Sequence, residues 1–186
     1  MKYIFNSIIF SLIPLASFGA EVVETCQLGD RPAHIIQITR EHEIADSYIY
    51  GFQYGDTPPY IYGDPNTSRG LSVHIACAGK KQHALVVFGE FASNFLQGFV
   101  IVRNRRSGKL HRLDFAERSP PQWLYIGRDE TVVVLPAHGS VEYSGKKYIV
   151  YRRANRDGAQ AAISGSDVLP PSEGFEVTQL KGAKPR

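Results

Sequence analysis

The chain has 186 residues, 43% of them hydrophobic and 21% charged, which suffices for one domain with a sizeable core. Its formal net charge is +3. Loss of a leader carrying Lys2 leaves a nearly balanced chain, which excludes nucleic acid as the expected partner. Ten Tyr and ten Phe favour β structure and binding surfaces.

Residues 1–20 read as a secretory signal. Lys2 supplies the positive start, Ile4 to Leu15 form a mostly apolar run ending near Pro14, and Ala16, Ser17, Gly19 and Ala20 supply small residues. Ser17 and Gly19 favour cleavage after Gly19 over Ala20, where Phe18 would sit at −3. The apolar run falls short of the roughly 20 residues that span a bilayer, and no later segment reaches that length. The mature product is therefore expected in the periplasm, with no membrane span. Cys26 follows Glu24 and Thr25, which do not suit lipidation. In an oxidising compartment Cys26 and Cys77 most simply pair. Their disulfide closes a loop of about 52 residues, worth about 4 kcal/mol by chain entropy. Free thiols or a metal pair are the alternatives.

Nearly every periodic segment that follows has period two. His34 to Arg40 opens the pattern after a Gly29-Asp30 turn, and at most a short helical turn fits Arg40 to Asp46. Tyr48, Tyr50, Phe52 and Tyr54 alternate on one face of a strand over 47–54. Residues 55–70, rich in Pro, Gly and Asp, form a long loop. Leu71, Val73, Ile75 and Cys77 then share a face, which turns Cys77 toward the core. Ala84 to Phe91 and Leu96 to Asn104 are strands, and Arg106 to Lys109 turns into a strand over 110–116. Trp123 to Ile126 and Thr131 to Leu135 flank a turn, and a last hairpin joins Ser140 to Tyr143 with Lys147 to Arg152. Strands at this spacing predict one all-β domain over 21–153: a barrel, a sandwich or a partial propeller. Residues 154–186, rich in Gly, Ala, Ser and Pro, read as a loosely ordered tail, in which Phe175, Val177 and Leu180 are the one strand candidate.

No catalytic signature emerges. Gly70-Leu71-Ser72-Val73-His74 lacks the last glycine of a nucleophile elbow, and phosphate-binding glycine loops are absent. His42-Glu43-Ile44-Ala45-Asp46 has Asp where a zinc-protease helix needs its second His. His74 and His83 could meet across adjacent strands, but ordinary exposed strand positions are the simpler explanation of both. Glu90, Asp114 and Glu117 default to salt bridges with Arg112 or Arg118. No enzyme activity, cofactor or metal is expected. Arg103, Arg105, Arg106, Lys109 and Arg112 make the densest charge run, on a hairpin tip. It is either a solvated tip that deters aggregation or a site for an anionic partner.

The 52–69 loop is the first candidate contact surface: Tyr54, Asp56, Tyr60, Tyr62, Asp64 and Asn66 combine rigid aromatic area with local hydrogen bonding. The other reading folds its tyrosines onto the core. Asn94 and Phe95 form a second candidate contact loop.

The stretches ALVVFGEF (84–91), FVIVRNRRSGKLHRLDF (99–115) and QWLYIGRDETVVV (122–134) resemble, over about a third of the chain, periplasmic immunity proteins of type VI secretion systems. Those that neutralise cell-wall amidases are the nearest in pattern. The leader and the cysteine soon after it fit that organisation, although those proteins carry more cysteines. The resemblance implies a propeller-like β fold and an inhibitor that blocks a secreted or injected toxin or cell-wall hydrolase. An envelope accessory protein that recognises a cell-wall or secretion component is the other expectation.

Overall fold

The computed structural model describes residues 20–29, 34–55, 59–92 and 95–180. The apolar run of the expected signal peptide, Asp56 and Asn94 lie outside the described residues.

The chain is all-β, in two antiparallel sheets. The first is a meander of seven strands in sequence order: β1 (Glu21–Gln27), β2 (Ile35–Ile44), β3 (Ser47–Gln53), β4 (Arg69–Ala78), β5 (Ala84–Glu90), β6 (Leu96–Arg103) and β7 (Leu110–Glu117). The second has the order β11-β10-β9-β8-β12, from β8 (Trp123–Gly127), β9 (Glu130–Pro136), β10 (Tyr148–Ala154), β11 (Ala161–Ser166) and β12 (Phe175–Gln179).

The two sheets pack face to face as a sandwich. Val86, Phe88, Val100 and Phe115 of the first sheet meet Leu124, Val133, Leu135 and Ile149 of the second. The opposite face of β5 and β6 is also covered: Leu85, Val87, Phe99 and Ile101 pack with Cys26, Ile36, Ile38, Tyr50 and Phe52 of β1 to β3. The meander therefore doubles over itself, and β5 and β6 lie between two cores. Burial on both faces explains why β5 reads ALVVF, an unbroken apolar run. The outer face of the second sheet holds Tyr125, Val132, Val134 and Val150, with Leu169 and Phe175 from the chain around β12 packed against them.

The disulfide Cys26–Cys77 joins β1 to β4, with Cα atoms 5.2 Å apart. These strands are three places apart in the sheet order, so the bond holds the curl closed. Cys26 is fully buried, but Cys77 is exposed near the end of β4, a correction to the expected buried position. The shared face is corrected as well. A bulge between Leu71 and His74, with Ser72 at φ 51°, sets Leu71 opposite Glu90. Val73 and Ile75 stay with the first-sheet core.

Three other expectations change. No helical turn forms at 40–46: β2 runs to Ile44, and Ala45 and Asp46, both at positive φ, make a two-residue hairpin turn into Ser47. Ser140 to Tyr143 is not a strand. Successive turns occupy 138–145, Val141 is 85% exposed, and β10 pairs instead with β9 on one side and β11 on the other. Finally, residues 154–180 are no loose tail: β11 pairs with β10 along its whole length, and β12 pairs with β8. Backbone ladders on sheet edges hold these strands. The first four side chains of β11 are exposed, so burial left little trace in composition.

Candidate functional site

The predicted contact loop is largely consumed by its own packing. Gly51 and Tyr60 form a β-bridge, and Phe52 N donates to Pro59 O. The Tyr62 ring stands edge-on to Phe91 and Phe99, with centroids 4.9 and 6.0 Å away. The Arg112 guanidinium lies 4.0 Å from the Phe99 centroid and 5.2 Å from that of Tyr62. Its Nη1 donates to Ile61 O at 2.7 Å, and it pairs with Asp114. The Tyr62 hydroxyl is buried without a partner among the described residues, and burial pushes the phenol well above its ordinary pKa. Asp64 is a turn residue: Oδ1 accepts from Asn66 N and Thr67 N, and Oδ2 from the Thr67 hydroxyl. The Thr67 bonds hold its carboxyl below the usual range.

Tyr54 and Tyr62 therefore pack on the core, and Asp64 shapes a turn. Tyr60 stays half-buried at the surface and Asn66 exposed. The structure does bring the two predicted loops together. Phe91, where the β5–β6 loop begins, touches both Tyr50 and Tyr62. Phe95 in that loop is 43% exposed, with the Arg118 guanidinium 5.5 Å from its ring.

The opposite end of the meander carries a second candidate site. Because alternate turns of an antiparallel sheet share an end, the β4–β5 turn lies beside the β6–β7 turn, and sheet packing adds the β8–β9 turn. Lys80 and Lys81 join Arg103, Arg105 and Arg106 there, with Arg128 alongside, around adjoining grooves that share Lys81, Gln82 and Arg105. One groove encloses ≈ 610 Å³. Two residues of the predicted basic run belong elsewhere: Arg112 points from β7 to Ile61, and Lys109 pairs with Asp157.

Hydrogen bonds stitch these turns. Arg105 Nη2 donates to Lys81 O at 2.7 Å, and Gln82 Nε2 to Arg103 O at 3.1 Å. Asn104 Oδ1 accepts from Arg106 N and Ser107 N, while its Nδ2 donates to Asn155 O. Asn155, only 4% exposed, donates from Nδ2 to Gly127 O and accepts from the Thr131 hydroxyl. At the tip of β4–β5, the Glu176 carboxylate of β12 accepts from the backbone N–H groups of Lys80, Lys81 and Gln82. Burial pushes that carboxyl up, but the three N–H groups outweigh it and hold the pKa below the usual range.

The other chemical candidates do not converge. His42 to Asp46 spans a strand end and a turn, which presents no helical face. His74 stacks on Phe88, whereas His83 Nδ1 contacts Gln27 O. Asp114 binds Arg112, and Glu117 accepts from the Tyr151 hydroxyl. Ser72 sits on the β4 bulge with no hydroxyl bond to a histidine among the described residues.

No known protein family, curated protein or solved structure matches this chain. The sequence singles out the 52–69 loop and, at the basic end, Arg103, Arg105 and Arg106. It does not single out Lys80, Lys81, Arg128, Asn155 and Glu176, whose meaning depends on contacts between distant turns. The one local signal was Gly79-Lys80-Lys81, a glycine followed by two cations between strands.

Proposed function

We propose that this chain is an exported, non-enzymatic binding protein that neutralises an envelope-acting toxin or hydrolase by covering its active cleft. The observation that carries the reading is the meeting of the 59–68 and 91–95 loops at Phe91. Tyr60 and Asn66 belong to the β3–β4 connection and Phe95 to the β5–β6 connection, and in a meander these connections share one end of the sheet. A disulfide and two cores hold that surface rigid, which lowers the ordering cost of binding. The leader-like N-terminus and the disulfide suit an oxidising compartment. Steric occlusion needs shape and rigidity from the protein, without a reacting group.

A crosslinking pull-down from periplasm tests this directly. A single protein recovered near 1:1 stoichiometry is the expected result. Tyr60→Ala combined with Phe95→Ala should weaken that complex by more than about 1 kcal/mol, since aromatic side chains that a partner covers carry much of a protein interface. Unchanged affinity removes this surface. Deletion should also sensitise cells to a sibling strain's effector, and full tolerance rejects the immunity role. Sedimentation with cell wall, in place of a soluble 1:1 complex, would favour an accessory protein.

A further inference from the structure

The basic end has features that a solvated hairpin does not need. Its cations come from three turns on two sheets. Among the described residues, none of Lys80, Lys81, Arg103, Arg105, Arg106 and Arg128 forms a salt bridge. The surrounding backbone is pinned by Arg105 to Lys81 O, Gln82 to Arg103 O, and the buried Asn155 network. Like charges so gathered repel one another, and only the tertiary structure keeps them together. Glu176 of β12 fixes the β4–β5 turn by accepting from three consecutive N–H groups, which leaves the lysine side chains as the groups the turn presents.

We infer that this end is a second binding surface, for the carboxylate-rich face of a partner protein. The cations line adjoining grooves, so their footprint suits several acidic side chains rather than one small anion. Arginine forks match carboxylates through two parallel hydrogen bonds, and Glu176, by holding the three N–H groups of the turn, fixes the backbone that carries Lys80 and Lys81. The inference rests on the protein-binding reading above and gives the partner a charge. Encounter would be steered electrostatically and would weaken as salt rises.

The test uses poly-L-glutamate as the probe with the oxidised mature protein, read by fluorescence anisotropy. Lys81→Gln/Arg106→Gln/Arg128→Gln removes three exposed cations whose side chains make no hydrogen bond among the described residues. Its melting temperature should match that of the parent. Arg118→Gln, beside Phe95 at the other end, is the control. The parent should bind saturably at low salt, the triple variant at least about tenfold more weakly, and the control within about twofold of the parent. Equal binding by parent and triple variant, or no saturable binding by the parent, overturns the inference. Inorganic polyphosphate binding about tenfold more tightly than poly-L-glutamate overturns the carboxylate assignment in favour of a phosphate polymer. The titration is independent of the pull-down. Failure to recover any partner protein defeats the proposed function, whereas failure of poly-L-glutamate to discriminate the variants defeats only this surface.

Discussion

Asn155 shows how much can depend on one buried amide. It satisfies the Thr131 hydroxyl and Gly127 O through its side chain, and its backbone O receives the Asn104 amide. Asn155→Ala would leave at least one buried group unpaired, a cost of about 1–3 kcal/mol. It should lower the urea midpoint accordingly and weaken poly-L-glutamate binding by loosening the turns. A midpoint within error of the parent would show that the network carries no energy. His111 is the second residue to test. It is 4% exposed, its Nε2 has no hydrogen-bond partner among the described residues, and burial with nearby Arg153 lowers its pKa. A depressed native value means that the unfolded chain takes up the proton first as pH falls. The contribution is whole above the ordinary histidine value of about 6.5 and is lost as pH drops from there toward the native value. His111→Gln should flatten the stability profile across that window, measured by denaturation between about pH 7.5 and 5. A profile that stays as steep would assign the slope to other groups.

At the scale of elements, the curl of the first sheet and the tip of β4–β5 are the decisive pieces. Cys77→Ala removes the tie between β1 and β4. Chain entropy predicts a loss of about 4 kcal/mol, read as the difference in unfolding free energy between oxidised parent and variant. A loss under about 1 kcal/mol would mean that β-ladders alone hold the curl. Gly79 sits at φ +95°, and a Cβ there would lie 2.2 Å from Gln82 O. Gly79→Ala should destabilise by more than about 1 kcal/mol and displace the N–H groups that hold Glu176. Strand periods exposed β3, and apolar runs exposed β5, β6, β8 and β9, because burial writes itself into side-chain type. Edge strands such as β11 escaped notice because their stability lies in backbone pairing, to which small exposed residues contribute no pattern. The bulge at Ser72 was invisible for a related reason: a period-two reading assumes an unbroken pleat.

For the molecule as a whole, the two cores share β5 and β6, so the sheets should unfold as one unit. Phe99 is fully buried in the core away from the second sheet, next to Phe52, Tyr62 and Arg112. Trp123, the single tryptophan, lies on the second sheet. Phe99→Ala should cost about 3–5 kcal/mol. It should shift the Trp123 fluorescence transition and the far-UV circular dichroism transition together. Separate transitions would reveal two independently folding halves.

The sequence by itself determined the all-β class and the disulfide partners, because alternation, turn residues and a lone cysteine pair are local or countable properties. It also marked Tyr62 and Asp64 as chemically capable, without showing that one packs on the core and the other ties a turn. Only the tertiary structure chose the sandwich over a barrel or a propeller, since that choice rests on which faces pack together. Only it joined Lys80 and Lys81 to Arg105 and Arg128, and seated Glu176 on a turn 94 to 96 residues away. Such groupings arise when antiparallel strands return their turns to a common end. No window along the chain contains that information, because the distance that matters is measured across the sheets.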